Sequence, residues 1–544
     1  MLIRTIFSIR RRTHSLYAQR NLLSLFSTVS SSIPVPNPPL TSTIGSSTCT
    51  IDKENEVPDK LCITNLSLQK FQDIYTSLGK SSQQATQIWQ TIMQKSIYTP
   101  EQLKNELKFL TITELQEFTT MFYIRNPRIK IDKELISKDK TIKWLLQVKN
   151  YSNRKPSVEQ SVISSPITDE FLSKDSSTID LLPTVTKPSS IITPSSSSAS
   201  AIEMVYIPEE GSMDNNGKYK AGRGTLCISS QIGCSLSCSF CHTGTQKMQG
   251  NLMIQEIIEQ ILISQERVKD IRIQHQERQT LALSTNPNNT KPSKRPFPPI
   301  TNIVFMGQGE PLLNWRAVST AIHIMTDPNG LNIPARRITI STSGIVPNIP
   351  RIAKETPGVR LAISLHAPTN TLRSQIMKIN TQYNIQQLLE ACQEYIDIRL
   401  QTISQQRKER AVKSNTNMDN NNDETTDTVS NLPYYKNDRY NNNNRIRISF
   451  EYTMLRNIND TPNHARLLAK LFKKYIKNPY AYVHVNLIPF NPWPNSPYQC
   501  SINNTIQDFQ RILNVEGINT TIRRARGQDI LGACGQLRST TLSK

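Results

Sequence analysis

Gly233-Cys234-Ser-Leu-Ser-Cys238-Ser-Phe-Cys241 is the stretch on which the reading of this chain turns. Three thiols fall within eight residues, spaced C-x3-C-x2-C, immediately after a run (225–230) that reads as a β-strand. Such a loop can ligate three corners of one compact metal cluster. A 4Fe–4S cluster usually takes four cysteine thiolates. With three, one iron keeps an open position, as catalytic metal sites do when a substrate binds the metal. The competing reading is a zinc site closed by Cys227 or His242, although zinc more usually joins two C-x2-C knuckles. Most of the nine cysteines lie after residue 226, and the count is odd. A disulfide scaffold is therefore the poorer reading.

Outward from that loop, short β-rich runs alternate with helical ones. The pattern predicts strands over 225–230, 301–306, 337–342, 359–364, 446–453, 481–488 and 519–524. It predicts helices over 254–269, 314–326, 383–398, 462–476 and 504–513. In the first helix Ile254, Ile257, Ile258, Ile261 and Leu262 share one apolar face. Alternation of this kind implies parallel strands with helical crossovers, either an α/β barrel or an open doubly wound sheet. Polar turns end several of these strands: Met306-Gly-Gln-Gly-Glu310-Pro, Ser341-Thr-Ser-Gly344 and Ser364-Leu-His366. Barrel enzymes place their chemistry on that face. Upstream, 64–123 reads as several short helices, and 141–148 and 202–208 as strands.

The chain has 544 residues, only 37% of them hydrophobic, with a mean hydropathy of −0.44. Values that low at this length imply polar tracts diluting ordinary globular sequence. The tracts are visible: fifteen Ser in 151–200, a polar stretch at 271–300, and eleven Asn in 415–444. No run of about 18 apolar residues occurs, which excludes a membrane-spanning helix. The net charge is +21. Residues 1–51 contain five Arg and no acid, in a Ser-rich context resembling an organelle transit peptide. Mitochondrial import is the expectation, with a plastid as the alternative. Without those five charges the chain is still strongly basic, as a polyanion-binding protein would be.

The three-cysteine spacing is similar to the signature of radical S-adenosylmethionine (SAM) enzymes. Further segments make the resemblance specific: Cys227-Ile-Ser-Ser-Gln-Ile-Gly-Cys234, Gly309-Glu-Pro-Leu-Leu-Asn314, Ser341-Thr-Ser-Gly, Ile363-Ser-Leu-His-Ala-Pro, Asn486-Leu-Ile-Pro-Phe-Asn491-Pro and Arg526-Gly-Gln-Asp-Ile-Leu-Gly-Ala-Cys534-Gly-Gln-Leu. In this order they resemble the RlmN family of radical SAM methyltransferases, which methylate adenine C2 in 23S-type rRNA and in tRNA. The resemblance implies an α/β fold, a partial (βα)6 barrel at 201–540. A small N-terminal helical domain (helix-hairpin-helix-like, RNA-contacting) precedes it at 56–150. The remainder would be a transit peptide and leader at 1–55, a Ser-rich linker at 151–200, and disordered inserts at 271–300 and 415–444.

The resemblance also implies roles. Cys234, Cys238 and Cys241 would hold one 4Fe–4S cluster. Gly309, Glu310, Ser341, Ser364, Leu365, His366 and Asn491 would contact SAM, two molecules per turnover. Cys534 would accept a methyl group by displacement and carry it to the base. Cys227 would form a disulfide with Cys534 to release the product, and Glu203 would take the C2 proton. Partners would be rRNA, tRNA and a ferredoxin- or flavodoxin-like electron donor, with no membrane and a monomeric chain. Two alternatives stand beside this: a related Cfr-type enzyme methylating adenine C8, and a non-catalytic iron–sulfur or zinc RNA-binding protein. The chain departs from the family at Gln308, where many members have Met. It also carries extra residues between Pro208 and Gly224, expected to form a surface hairpin.

Overall fold

The structure, a computed structural model, describes residues 60–125, 128–149, 200–214, 217, 219–285, 297–416 and 446–539. The basic leader, nearly all of 151–200, residues 286–296 and nearly all of 415–444 lie outside these. The chain divides into two compact units, Met1–Asn126 with Asp327–Asn332, and the remainder.

In the first unit, β1 (Leu61–Cys62) pairs in parallel with β2 (Phe122–Tyr123) around four helices: α1 (Leu68–Ser77), α2 (Ser82–Lys95), α3 (Pro100–Glu106) and α4 (Ile112–Met121). Each helix starts on a Ser or Thr whose hydroxyl accepts a first-turn N–H. Thr99 with Gln102, and Thr111 with Glu114, complete reciprocal capping boxes. Phe71, Trp89, Ile92, Leu103, Phe118 and Phe122 fill the core between them.

The expected domain boundary at 150 falls instead after Asn126. The reason is two strands, β3 (Ile129–Ile136) and β4 (Ile142–Val148), which belong to the large sheet. Six of the seven residues of β4 are buried, so it needs sheet neighbours on both sides. It finds them in β3 and in β5 (Ser200–Glu209), both antiparallel to it. After β5 the extra residues form the expected hairpin, β6 (Ser212–Met213) with β7 (Tyr219–Lys220).

Then come β8 (Arg223–Cys227) and a small ribbon of β9 (Gln231–Ile232) with β10 (Gly250–Asn251). Alternating helices and strands follow: α5 (Ile254–Thr285), β11 (Ile300–Phe305), α6 (Trp315–Thr326), β12 (Ile338–Thr342), α7 (Ile349–Glu355), β13 (Arg360–Ser364), α8 (Asn370–Ile376), α9 (Ile385–Thr416), β14 (Ile448–Met454), α10 (Pro462–Tyr475), β15 (Val483–Pro489), α11 (Asn503–Val515) and β16 (Asn519–Ile522). The ten-stranded sheet is ordered β16-β15-β14-β13-β12-β11-β8-β5-β4-β3, with β8 to β16 all parallel. Strand order follows chain order without the reversal that marks a doubly wound sheet. Its two edges, β3 and β16, do not pair. This is the partial (βα)6 barrel expected, extended by a seventh parallel strand. α5 and α9 run into the stretches expected as disordered, to 285 and 416; neither extension contains Gly or Pro to stop the helix. No helix among the described residues is long and apolar enough to cross a membrane.

Candidate active site

The cysteine loop hangs from β9, past Gly233, whose φ of +75° suits glycine. A Cβ at Gly233 would also run into the Lys247 carbonyl. Neighbouring elements pin the loop: Ser239 N donates to Ile376 O (3.0 Å), and Trp493 Nε1 donates to Phe240 O (3.1 Å). Cys234, Cys238 and Cys241 line one cavity of ≈ 130 Å³ together with Glu310, Ser341, Ser364, His366 and Cys534. Burial raises all three thiols, Cys234 to about 12, and for Cys238 the other two thiols push the same way. Arg373, fully buried, opposes that at Cys238.

Three soft thiols around one cavity fit a 4Fe–4S cluster, whose iron charge would stabilise the thiolates that burial disfavours. The zinc alternative fits poorly. His242 Nδ1 faces Gln536 O (3.1 Å), Nε2 faces Arg538 (3.5 Å), and the ring lies flat on Trp493, 4.7 Å between centres. Among the described residues, no three His, Cys, Asp or Glu side chains converge on one ion position. A zinc ion needs that convergence; a cubane, with one thiolate per iron, does not.

The cavity's other wall is built from strand ends. Gly309 has φ +92°, and a Cβ there would strike Gln231, so the turn admits only glycine. It sets Glu310 into the cavity with its carboxylate accepting from Ser343 N (2.8 Å) and Leu312 N (3.1 Å). Burial raises the Glu310 carboxyl, and those N–H groups work against it. Arg373 ties the ends of β12 and β13 together, donating to Ser343 O (2.6 Å), Ser364 O (3.1 Å) and Leu365 O (3.1 Å). Leu365 itself is buried and does not line the cavity.

Cys534 lies in a tail laid across the strand ends. Asn491 Nδ2 donates to Cys534 O (3.1 Å), His242 N to Gly535 O (2.8 Å), and Thr243 Oγ1 to Leu537 O (2.6 Å). Gln308 Nε2 donates to Ser539 Oγ (2.9 Å). One buried ion pair grips both flanks of Cys534. Lys143 Nζ meets Glu203 Oε1 (2.9 Å) and donates to Leu531 O (3.2 Å), while Glu203 Oε2 accepts from Arg538 N (3.0 Å). Burial raises the Glu203 carboxyl against the pull of Lys143. Glu203 lines neither cavity, so in this conformation it anchors the tail.

Cys227 and Cys534 are both free thiols, and Cys534 is close enough to add to the upward shift of Cys227. Burial pushes Cys227 up to about 12 and raises Cys534; half-buried Arg523 opposes the shift at both. The second cavity, ≈ 1230 Å³, occupies the barrel lumen and also reaches Cys534. Met306, Glu451, Ile488, Asn491 and Arg523 line both cavities. Glu451, held by Ser449 Oγ (2.6 Å) and Asn486 Nδ2 (2.7 Å), escaped the sequence reading. Its signal was a lone charge inside the apolar run of β14. Arg523, the cation that opposes the shift of both thiols, likewise has no local sequence pattern to single it out.

A family model, the radical SAM superfamily, matches residues 294–405, from just before β11 into α9. A protein of Rhizobium meliloti named dual-specificity RNA methyltransferase RlmN is 42% identical over 338 residues, which are 62% of this chain and 64% of that relative. Its namesake in Methylocella silvestris is 39% identical over 340 residues, 62% of this chain and 67% of the relative. For the Rhizobium protein and several others the matched part is just under two thirds of the relative's own length. Among solved structures, a radical SAM methyltransferase from Sphaerobacter thermophilus superposes with a TM-score of 0.58 at 25% identity, covering 88% of this chain and 99% of that one.

Proposed function

We propose, from the premise that this chain belongs to the RlmN family, that it is a radical SAM RNA methyltransferase acting on adenine C2 of large-subunit rRNA and of tRNA. The observation that carries the reading is the position of Cys534. It lines the cavity that holds the three cluster cysteines and Glu310, and it also lines the larger polar cavity of the lumen. A methyl carrier must face a methyl donor on one side and an acceptor on the other.

Adenine C2 lies between two ring nitrogens and is electron-poor, so it is no nucleophile toward a sulfonium. A thiolate is one. Cys534 takes the methyl group by displacement, and Arg523 favours the anion that attacks. When bound at Cys234, Cys238 and Cys241, a 4Fe–4S cluster supplies the electron that cleaves a second SAM to the 5′-deoxyadenosyl radical. Glu310 and the polar ends of β12 and β13 hold the SAM amino acid portion. The Cys534 S-methyl group, having lost hydrogen to that radical, adds to C2. Glu203 takes the C2 proton once the tail lets go of its carboxylate. The adduct's odd electron returns to the electron carrier, which restores the aromatic ring. The Cys227 thiolate then attacks the Cys534 sulfur and breaks its bond to the methylene carbon, which takes a proton to become the methyl group as the base leaves. An external thiol reduces the Cys227–Cys534 disulfide. The electrons come from a ferredoxin- or flavodoxin-like partner, and residues 1–55 direct import into mitochondria.

The test is anaerobic: full chain with reconstituted iron and sulfide, SAM, a reductant, and unmodified rRNA fragments or tRNA. The digested nucleosides are compared with 2-methyl- and 8-methyladenosine. The reading expects 2-methyladenosine, abolished in Cys534→Ala. An 8-methyladenosine peak would move the chain to the Cfr-type reaction. Retained RNA binding without SAM cleavage would leave a binding protein.

A further inference from the structure

In a closed (βα)8 barrel, branched apolar side chains fill the lumen in layers. The inward positions here are different. Thr225, Asn302, Thr339, Ala362, Ser449 and His484 line an open cavity of small and polar groups. At its N-terminal end stand arginines. β13 pairs with β14 in the register Ala362↔Ser449, so Arg360 enters its strand beside Arg447 at the same level. Arg223 and Arg336 are near enough that, after burial, these three arginines are what holds the Arg360 guanidinium below its usual range. Arg223 has a carboxylate partner, Glu209 (2.7 Å). Among the described residues, neither Arg360 nor Arg447 forms an ion pair, and Arg447 Nε is buried without a hydrogen-bond partner. A cavity that gathers like charges and leaves a donor unmet is built for an anion that arrives from outside.

We propose that Arg360 and Arg447 form a phosphate clamp at the N-terminal mouth of the lumen, gripping the RNA backbone while the target base reaches through the cavity to Cys534. This rests on the methyltransferase reading above. Strand rise separates the level of Arg447 from that of Glu451 by roughly 13 Å, a span that an inward-reaching arginine and a flipped-out nucleotide cover together. Guanidinium forks suit phosphodiester oxygens. The clamp acts on backbone and so carries no sequence preference of its own.

The experiment uses the full chain and a fluorescent RNA stem-loop bearing one loop adenosine, with the dissociation constant measured against salt. Each phosphate contact removed lowers the slope of log Kd against log salt by about one. Arg360→Gln with Arg447→Gln is therefore expected to lower it by about two and to weaken binding roughly tenfold or more at low salt. The Lys pair at the same positions keeps the charge and should keep most of the slope, which separates lost contacts from lost folding. RNA should also protect both arginines of the wild type from phenylglyoxal. An unchanged slope, or equal modification with and without RNA, overturns the clamp; so does protection by inorganic pyrophosphate but not by RNA. Nucleoside analysis of the same samples keeps the two readings apart. Methylation with an unchanged slope removes the clamp alone. An arginine-dependent slope without methylation supports the clamp and removes the methyltransferase.

Discussion

His366 occupies the left-handed region, φ +57°, where Asn is the commonest residue after glycine. Its Nδ1 accepts from Thr453 N (3.0 Å), and burial with Arg373 nearby lowers its pKa from 6.5 to about 3. The native state therefore binds fewer protons here than the unfolded chain. The stability this contributes is complete above 6.5 and is lost as pH falls toward 3, with a limiting slope of about 1.4 kcal/mol per pH unit. Asn at this position fits the backbone and keeps an acceptor for Thr453 N, so urea midpoints of His366→Asn should fall less steeply than wild type across that window. The Lys143–Glu203 pair makes a second residue-scale case. Lys143→Met leaves a buried carboxylate uncompensated and should cost about 3–5 kcal/mol. Adding Glu203→Gln should recover most of the loss, because Gln still accepts from Arg538 N; a double cycle of denaturation midpoints with no coupling would contradict the pairing. The cysteine loop was legible in sequence because the three thiols that line the cavity fall within one short stretch. Lys143 was not, since the Leu531 carbonyl it holds lies 388 residues away, and no local pattern encodes such a partner.

At the scale of elements, the turn after β11 is the most constrained connection in the site. Gly309→Ala would need a left-handed Ala with its Cβ inside Gln231. The conformation alone costs about 1–2 kcal/mol, and it would displace Glu310, the proposed SAM contact. SAM affinity by calorimetry should fall at least about tenfold, with far-UV circular dichroism unchanged; wild-type affinity would show that Glu310 is not a contact. The tail is the other element under tension between holding and release. Gln536 bridges it, accepting from Ala533 N (3.1 Å) and donating to Pro492 O (2.6 Å). Gln536→Ala should loosen the segment, seen as faster amide exchange over 533–537 and faster iodoacetamide labelling of Cys534. Seven strands of the barrel were readable because each is an apolar run punctuated by polar turns. β3 was not, since its Ile-Lys-Ile-Asp-Lys-Glu face is largely exposed and reads as a charged loop. The extension of α5 was missed because the polar composition of 271–300 was taken for disorder, although the stretch to 285 has no Gly or Pro to break a helix.

For the molecule as a whole, the decisive quantity is where its charge resides. Residues 1–126 carry 13 Lys and Arg against 9 Asp and Glu, so +17 of the net +21 lies beyond Asn126. The helical unit is close to neutral, and the barrel unit holds the basic surplus. Phosphate neutralisation sets the salt dependence of RNA binding, so the two units should contribute to affinity in different ways. If the helical unit contacts RNA as proposed, its small net charge leaves it contacts of shape and hydrogen bonding, which salt barely touches. Deleting residues 1–126 should therefore weaken binding of an rRNA fragment at every salt concentration by a similar factor. The slope of log Kd against log salt should stay within about one of the full chain. S-methylation of Cys534 by SAM alone, read by peptide mass, should persist, because the residues assigned to it lie in the larger unit. A deletion that halves the slope would place the phosphate contacts in the helices, despite their balanced charge, and would take the electrostatic part of RNA recognition away from the barrel.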